Sequence, residues 1–269
     1  MTAVSPLRTL LVAATVVVLS AGCGASTPRA NTAPHRTTAG TAVGSAASRA
    51  AVTPQKTITI GRSVRGVPIR ATRRGVPGAP HQVLVVGVIH GNESAGLAVI
   101  SRLFHSTPPA GVDLWLIRAI NPDGLRAGTR QNARGVDLNH NFPANWIPYE
   151  RPWDPYYSGP RPASEPETRE AMRFILRIQP ELTIWYHQHE HKVIKAPGDI
   201  SLEARYAKLV GLPFDRHYPY AHGRATYWQH GHVAGSTAFV VEFGSGSIRA
   251  RVAARHARAV LALARTIAG

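Results

Sequence analysis

Three short and continuous apolar runs constrain the fold of this chain more than any other feature. They are VLVVGVI at Val83–Ile89, LTIWY at Leu182–Tyr186 and AFVVEF at Ala238–Phe243. Each run has the length of a strand and lacks the alternating polar residues of a strand with one solvent-exposed face. Such a pattern is typical of a sheet covered by helices on both sides. The sequence therefore predicts an α/β domain with a mostly parallel, buried sheet.

The rest of the pattern alternates strands with helices. We predict an opening hairpin from the strands Lys56–Ile60 and Val67–Arg73, and one further strand at Asp113–Ile120. We predict four helices, at Ala95–Phe104, Glu165–Ile178, Ser201–Leu209 and Ile248–Ile267. The segment Asn121–Pro162 is dense in Gly, Pro, Asn and aromatic residues and shows little periodicity. A long irregular stretch inside a compact domain is usually functional or disordered, and the aromatic residues favour order.

The N-terminal region has the features of an export signal. An apolar run follows Arg8 and ends in small residues at Cys23, the single cysteine of the chain. This placement resembles a bacterial lipoprotein box, although Ser20 stands where leucine is usual, so simple signal-peptide cleavage is the alternative. We predict a signal peptide at 1–23, a Ser/Thr/Ala-rich disordered tether at 24–55 and a catalytic domain at 56–269. The expected location is the outer face of the bacterial cytoplasmic membrane, or the cell wall after secretion.

The chain is strongly basic, with 31 Lys and Arg against 15 Asp and Glu. Nearly all of the basic residues are arginines in an Ala-rich chain, which a GC-rich genome explains as well as attraction to an anionic cell-envelope polymer does. No zinc-finger spacing or basic zipper is present, so we expect no nucleic-acid partner. Membrane contact is expected only through the N-terminal lipid anchor.

Metal-binding residue types follow two of the apolar runs. His90-Gly91-Asn92-Glu93 comes directly after the first run, and an imidazole and a carboxylate on a tight turn form a ligand pair that zinc accepts. The alternative is a loop histidine beside an acid that favours a helix N-terminus. His187 directly follows LTIWY, so it lies at another strand end, where ligands bind in such sheets. His189 and His191 share its face on an extended chain and are further candidates.

Two carboxylates extend this candidate site. Glu242 lies within AFVVEF, and burying a lone carboxylate is costly unless it has a cation, a proton or a chemical task. An ion pair with an arginine is the alternative. Asp137, in GVDLNHNF, is a candidate acceptor for the N–H of a ligating imidazole.

Taken in order, HGNE, NPDGLRAGTRQNARGVDLNHNFP, the histidine after LTIWY, and VVEFG resemble the zinc carboxypeptidase (carboxypeptidase A-like) family. The likeness runs from about Val83 to Gly244 and is greatest to the short bacterial branch that includes murein peptide amidases. It implies a three-layer α/β/α sandwich on a mixed, mainly parallel eight-stranded sheet.

The resemblance also implies roles for individual residues. One Zn²⁺ would be held by His90, Glu93 and His187. Asp137 would support the ring of His90. Glu242 matches the general base, Arg130 the arginine that polarises the scissile carbonyl, and Asn139 a residue that holds the substrate carboxylate. A cis peptide between Gln188 and His189 is expected as well.

Two departures from the family pattern concern substrate binding. The family usually has arginine where this chain has His140, and histidine offers at most one directed bond and a charge that depends on pH. Arg126, Arg134 or Arg224 are candidates for a replacement cation. Tyr227 is the best match to the phenolic residue that closes over the substrate, with ordinary aromatic packing as the alternative.

Three functions fit these observations. The first is an exported zinc metallocarboxypeptidase or amidase that hydrolyses a peptide, such as the stem peptide of peptidoglycan. The second is a zinc-dependent deacylase of small N-acyl amino acids. The third is a catalytically silent cell-wall-binding module.

Overall fold

A computed structural model describes residues 55–217 and 222–269. The predicted signal peptide, Cys23 and the tether lie outside the described residues, apart from Gln55, which begins the first strand. The strands are β1 Gln55–Arg62, β2 Pro68–Arg74, β3 His81–Val86, β4 Val112–Ile117, β5 Leu182–Gln188, β6 Lys192–Ile194, β7 Phe214–Asp215 and β8 Thr237–Phe243. The helices are α1 Gly96–Phe104, α2 Pro122–Ala127, α3 Pro166–Ile178, α4 Ser201–Val210, α5 Ala225–His232 and α6 Ala250–Ile267. None of the described helices is long and apolar enough to cross a membrane.

The strands form one mixed sheet in the order β1-β2-β4-β3-β5-β8-β6-β7. Its centre, from β4 through β3 and β5 to β8, is parallel. The β1–β2 hairpin joins one edge antiparallel, and β6 joins the other edge antiparallel to β8. The predicted mixed sheet of eight strands is confirmed.

Helices cover both faces of the sheet because alternate strand residues point to opposite sides. Val83 and Val85 of β3 pack with α1, α4 and α6, whereas Leu84 and Val86 pack with α3 and α5. Both clusters consist of fully buried side chains, each of which stabilises the fold by about 1.5–3 kcal/mol. The result is the predicted three-layer α/β/α sandwich.

Several predicted boundaries were wrong. The strands predicted at Val83–Ile89 and Asp113–Ile120 end at Val86 and Ile117. Val88 and Ile89 are nevertheless fully buried, and the carbonyl of Val88 accepts from the N–H of Ile120 at 2.9 Å. The apolar pattern therefore continues into buried loops at the end of the sheet, where burial without strand pairing explains it.

The segment Asn121–Pro162, predicted to lack regular structure, contains α2 and a 3₁₀ turn at Leu138–His140. The side chain of Asn121 accepts from the N–H of Gly124 and caps α2, Pro122 occupies its first turn, and Gly128 ends it at φ 68°. Three elements, α5, β6 and β7, were not predicted.

Candidate metal centre and active-site cleft

The candidate site lies at the carboxyl ends of three neighbouring parallel strands. His90 and Glu93 follow β3, and His187 lies near the end of β5. Glu242 of β8 is the registered partner of His187, so the two side chains point to the same side of the sheet. All four are buried, and the fold thus brings together residues that are far apart in sequence.

Three of these side chains converge on a common point. His90 Nδ1 lies 2.9 Å from Glu93 Oε1, and His187 Nδ1 lies 3.1 Å from Glu93 Oε2. The two Nδ1 atoms are 3.2 Å apart. A tetrahedral zinc ion with ligand bonds of about 2.0–2.1 Å has neighbouring ligand atoms about 3.3 Å apart. The spacing and the two-nitrogen, one-carboxylate donor set therefore fit a zinc ion.

The other ring nitrogen of His90 supports this assignment. His90 Nε2 faces Asp137 Oδ1 at 2.9 Å, which leaves Nδ1 of the same ring as the atom available to a cation. His187 Nε2 is buried and has no hydrogen-bond partner among the described residues. Gly91 lets the segment between His90 and Glu93 lie close to α2, because a Cβ there would lie 1.9 Å from the backbone carbon of Gly124. Within the described residues, His90, Glu93 and His187 form the one group of three that is suited to hold a metal.

Asp137 is fully buried behind the cluster and all of its acceptor positions are occupied. Its Oδ1 accepts from His90 Nε2 at 2.9 Å and from the backbone N–H of Asn139 at 2.8 Å. Its Oδ2 accepts from Arg130 Nε at 2.9 Å and forms an ion pair with Arg130 Nη2 at 2.8 Å. Burial opposes ionisation of Asp137, but the charges of His90 and Arg130 outweigh it and hold the pKa of the carboxyl well below its usual range. Asp137 therefore orients both the first histidine and the arginine.

Arg130 and Glu242 lie on either side of the cluster. Arg130 Nη1 lies 2.8 Å from Glu93 Oε1, and the guanidinium stands 5.4 Å over the ring of Tyr156. Burial raises the pKa of Glu242, and the neighbouring carboxylates of Glu93 and Glu190 add to the effect, whereas His187 opposes it. A raised pKa makes the carboxylate a stronger proton acceptor.

These side chains enclose a cavity of about 160 Å³. Of the residues that the resemblance assigned to the site within the described region, all but Asp137 and Tyr227 line it. Five lining residues were not assigned by sequence alone, namely Tyr156, Gln188, Glu190, Arg224 and Val240, although Arg224 was one of three alternatives for a cation.

The sequence profile of the zinc carboxypeptidase family matches residues 48–259. The chain belongs to the zinc carboxypeptidase family. Murein peptide amidase A of Escherichia coli K12 is 34% identical over 146 residues, which cover 50% of this chain and 60% of that protein. The protein of that name from Vibrio campbellii is 29% identical over 164 residues, covering 57% and 65% of the two chains. The chain thus spans less than two thirds of the length of these curated relatives.

Solved structures show the same fold. The crystal structure of murein-tripeptide amidase MpaA from Escherichia coli O157 matches with a TM-score of 0.64 and 26% identity, covering 80% of this chain and 94% of that one. Carboxypeptidase A from Helicoverpa armigera matches with a TM-score of 0.69 and 16% identity, covering 80% and 68%. The second likeness supports the fold alone.

His140 is the residue at which this chain departs from the family pattern. Burial lowers the pKa of His140 to about 4, and the positive charges of Arg224 and Arg130 act in the same direction. The imidazole is therefore neutral at pH 7. Of the alternative cations, Arg224 lines the cavity, whereas Arg126 is exposed at the end of α2 and Arg134 lies 3.6 Å from Glu165.

The structure does not bring Tyr227 to the lining of the cavity. The chain enters α5 after Arg224, which lines the cavity, and Tyr227 in the first turn of the helix does not line it. The phenol that lines the cavity is Tyr156, from the segment DPYYSGP. No spacing rule links Tyr156 to the strand ends; its aromatic segment was the one signal available.

The three histidines at the end of β5 and just beyond it, His187, His189 and His191, lie in different environments. The predicted cis peptide between Gln188 and His189 is present. The backbone N–H of Gln188 donates to Glu93 Oε2 at 3.0 Å, and His189 lines the cavity. His191 is exposed. Of these three histidines, His187 alone belongs to the candidate metal site.

Proposed function

We propose that this chain is an exported, zinc-dependent metallopeptidase that hydrolyses a peptide amide bond, as a carboxypeptidase or an amidase of murein peptides. The observation that carries the proposal is the single cavity that holds the His90–Glu93–His187 cluster together with Glu242. A metal-ligand set with a proton acceptor beside it is the arrangement that metal-assisted hydrolysis needs.

Each side chain has a task in this reaction. When bound by the cluster, zinc would supply positive charge that polarises the scissile carbonyl and lowers the pKa of water at the site. We assign Glu242 to take the proton of the attacking water and to deliver it to the leaving amine. We assign Arg130 to donate hydrogen bonds to the carbonyl oxygen as negative charge develops on it. Asp137 keeps Arg130 in place through a hydrogen bond and an ion pair.

The substrate is proposed to be a peptide, with the stem peptide of peptidoglycan as the natural source. The names of the similar amidases support this substrate class. Asn139 and Arg224 line the cavity next to the neutral His140, and we assign them to a carboxylate of the substrate. The Oδ1 of Asn139 accepts from the N–H of Ala225 at 3.3 Å, so its amide N–H₂ is the end that donates to a ligand.

The location is proposed from the sequence. Residues 1–23 would direct export, a lipid on Cys23 would anchor the chain, and the tether at 24–55 would let the domain reach its substrate. Secretion without a lipid is the alternative that mass measurement of the mature N-terminus would reveal.

The test is to incubate the zinc-loaded protein with a library of muropeptides, linear peptides and small N-acyl amino acids, and to read the products by mass spectrometry. The expected result is cleavage of peptides, and loss of at least 100-fold in rate in Glu242→Gln with zinc content unchanged. Release of acyl acids from the small substrates alone would identify a deacylase instead. Absence of any product with zinc bound would leave the wall-binding module as the function.

A further inference from the structure

One helical layer of the sandwich is basic over its whole outer face. Helices α1, α4 and α6 cover the same side of the sheet, with α6 in contact with both of the others. We define the basic layer by its seven exposed cations, which are Arg102, Arg205, Lys208, Arg251, Arg255, Arg258 and Arg265. The three helices carry one acidic residue, Glu203, and it is fully buried.

The four arginines of α6 form a single stripe. At about 100° per residue, positions 251, 255, 258 and 265 fall within about 80° of arc on the helix. The opposite side of α6 buries Val260 and Leu263 in the core, so the arginine stripe is not part of the packed face. None of the four arginines forms an ion pair within the described part of the chain. Their charges are therefore directed to solvent.

The arginine-rich composition alone does not explain this face. All 15 acidic residues of the chain lie within the described ranges, and three of them are exposed, namely Glu150, Glu190 and Asp199. Of these, Asp199 alone adjoins the basic layer, where it precedes α4 and accepts from Ser201 Oγ. On the opposite face, Arg173 of α3 pairs with Glu170 at 2.8 Å. Exposed carboxylates are few over all the described residues, but an arginine of α3 still has a carboxylate partner, whereas none of the seven cations of the basic layer forms an ion pair within the described residues.

We propose that the basic layer binds the surface of an anionic phospholipid bilayer. Each Lys or Arg held near an anionic membrane adds to the attraction, and seven such residues act together on one rigid face. The cations stand on the outside of packed helices, and none of them lines a described cavity, so the face suits a planar surface more than a single polymer strand. Leu209, 41% exposed beside Lys208, offers an apolar contact.

The proposal adds a membrane contact to the N-terminal anchor. If the predicted 32-residue tether behaves as a flexible coil, its root-mean-square span would be about 30 Å, which would keep the domain within reach of the bilayer. Helix α6, at about 1.5 Å per residue over its 18 residues, presents its stripe along about 27 Å. Weak attraction at this distance suffices to dock the domain, because the tether raises its local concentration at the membrane.

Vesicle binding tests this inference without reference to catalysis. The full chain carrying Cys23→Ser, which cannot be lipidated, is sedimented with vesicles of neutral phosphatidylcholine or of the same lipid with about one third phosphatidylglycerol. The expected result is binding that requires the anionic lipid and is lost in about 1 M salt, where the screening length is about 3 Å. Equal binding to both kinds of vesicle would overturn the proposal.

Matched variants locate the binding face. Replacing Arg251, Arg255, Arg258 and Arg265 by Gln is expected to weaken binding at least tenfold, and replacing the same four by Lys is expected to retain it. The control replaces Arg151, Arg161, Arg173 and Arg177, which are exposed outside the basic layer, by Gln for the same change in net charge. An equal loss in the control would show that net charge alone acts. Binding to polyphosphate beads without binding to anionic vesicles would assign the face to an envelope polymer and overturn the bilayer proposal.

Discussion

The replacement Asp137→Asn tests how the carboxylate behind the cluster supports it. Asp137 accepts three hydrogen bonds, one from Arg130 Nε through Oδ2 and one each from His90 and the N–H of Asn139 through Oδ1, and it forms an ion pair with Arg130 Nη2. An amide has one acceptor oxygen, so its N–H₂ must face either the guanidinium or the imidazole and the backbone N–H. In either orientation at least one hydrogen bond is lost, a donor faces a donor, and the ion pair disappears with the charge.

The expected effect has a stability component and a metal component. Hydrogen bonds to charged groups contribute about 1.5–3 kcal/mol each, so losing one lowers the free energy of unfolding of the metal-free protein by roughly 1.5–3 kcal/mol. If the N–H₂ faces His90, the imidazole proton moves to Nδ1, the atom that faces Glu93. Loss of such a supporting carboxylate typically weakens metal affinity by about 10–100-fold.

Two measurements and one control test whether Asp137 supports both zinc affinity and stability. Zinc affinity is measured by competition with a chromogenic chelator, and the free energy of unfolding by urea titration without metal. Asp123→Asn is the control, because Asp123 is also buried but makes one described hydrogen bond, to the N–H of Arg65 at 3.0 Å, away from the cluster. Its zinc affinity should equal that of the wild type. Wild-type zinc affinity in Asp137→Asn would refute the reasoning that Asp137 fixes the ring of His90.

Three further predictions concern stability and specificity. Burial raises the pKa of Glu203 from 4.5 to about 7, so between these pH values the folded state binds a proton that the unfolded state does not. The free energy of unfolding should therefore fall by up to roughly 3 kcal/mol as pH rises from 4.5 to above 7. In Glu203→Gln, urea titrations at pH 5 and pH 8 should show a smaller fall. Gly223→Ala should destabilise the protein and lower its activity because the new Cβ, at φ +70°, would lie 2.0 Å from the carbonyl oxygen of His140, whereas Gly231→Ala, with no atom within 4 Å, should melt at or above the wild-type temperature. His140→Arg should raise the rate on peptides with a free terminal carboxylate relative to amidated ones; an unchanged ratio would remove position 140 from substrate recognition.

The sheet could be predicted from the sequence where its strands are long. β3, β5 and β8 are apolar runs of strand length, and the helices between them are long enough to show periodicity. β6 and β7 have three and two residues and depend on pairing with strands distant in sequence, so no local pattern marks them. α5 has eight residues and includes Gly231, which weakens the helical signal. Short elements of this kind are stabilised by tertiary contacts, which a single sequence does not display.

The candidate metal site could be predicted because the topology of the sheet brings most of its residues together. In a parallel sheet the ends of β3, β5 and β8 lie at one edge, so His90, Glu93, His187 and Glu242 had to be close. Tyr156 and Arg224 reach the same cavity from a loop and from the start of a helix. Their approach depends on how irregular segments fold over the sheet, and nothing in their spacing indicates it.

Aromatic burial explains only part of the order of the irregular segment Asn121–Pro162. Phe142 is fully buried against Trp185 and Trp228, whereas Tyr149, Trp153 and Tyr156 are 45%, 55% and 45% exposed. Two fully buried amides add to the order. Asn132 donates to Glu165 at 2.8 Å and accepts from two backbone N–H groups, and Asn141 donates to the carbonyl of Ser158 at 2.8 Å.

These buried amides explain how a loop can place catalytic groups accurately. Asn132 and Asn141 flank Asp137 in sequence, and the backbone N–H of Asp137 itself donates to the carbonyl of Tyr157 at 2.8 Å. A side chain on a strand is positioned by the sheet, whereas Arg130, Asp137 and Tyr156 have no such support. Because an unsatisfied buried polar group costs about 1–3 kcal/mol, each amide allows few alternative loop conformations. The segment therefore acts as a second rigid element, which holds Asp137 and Arg130 against the ligands that the strand ends supply.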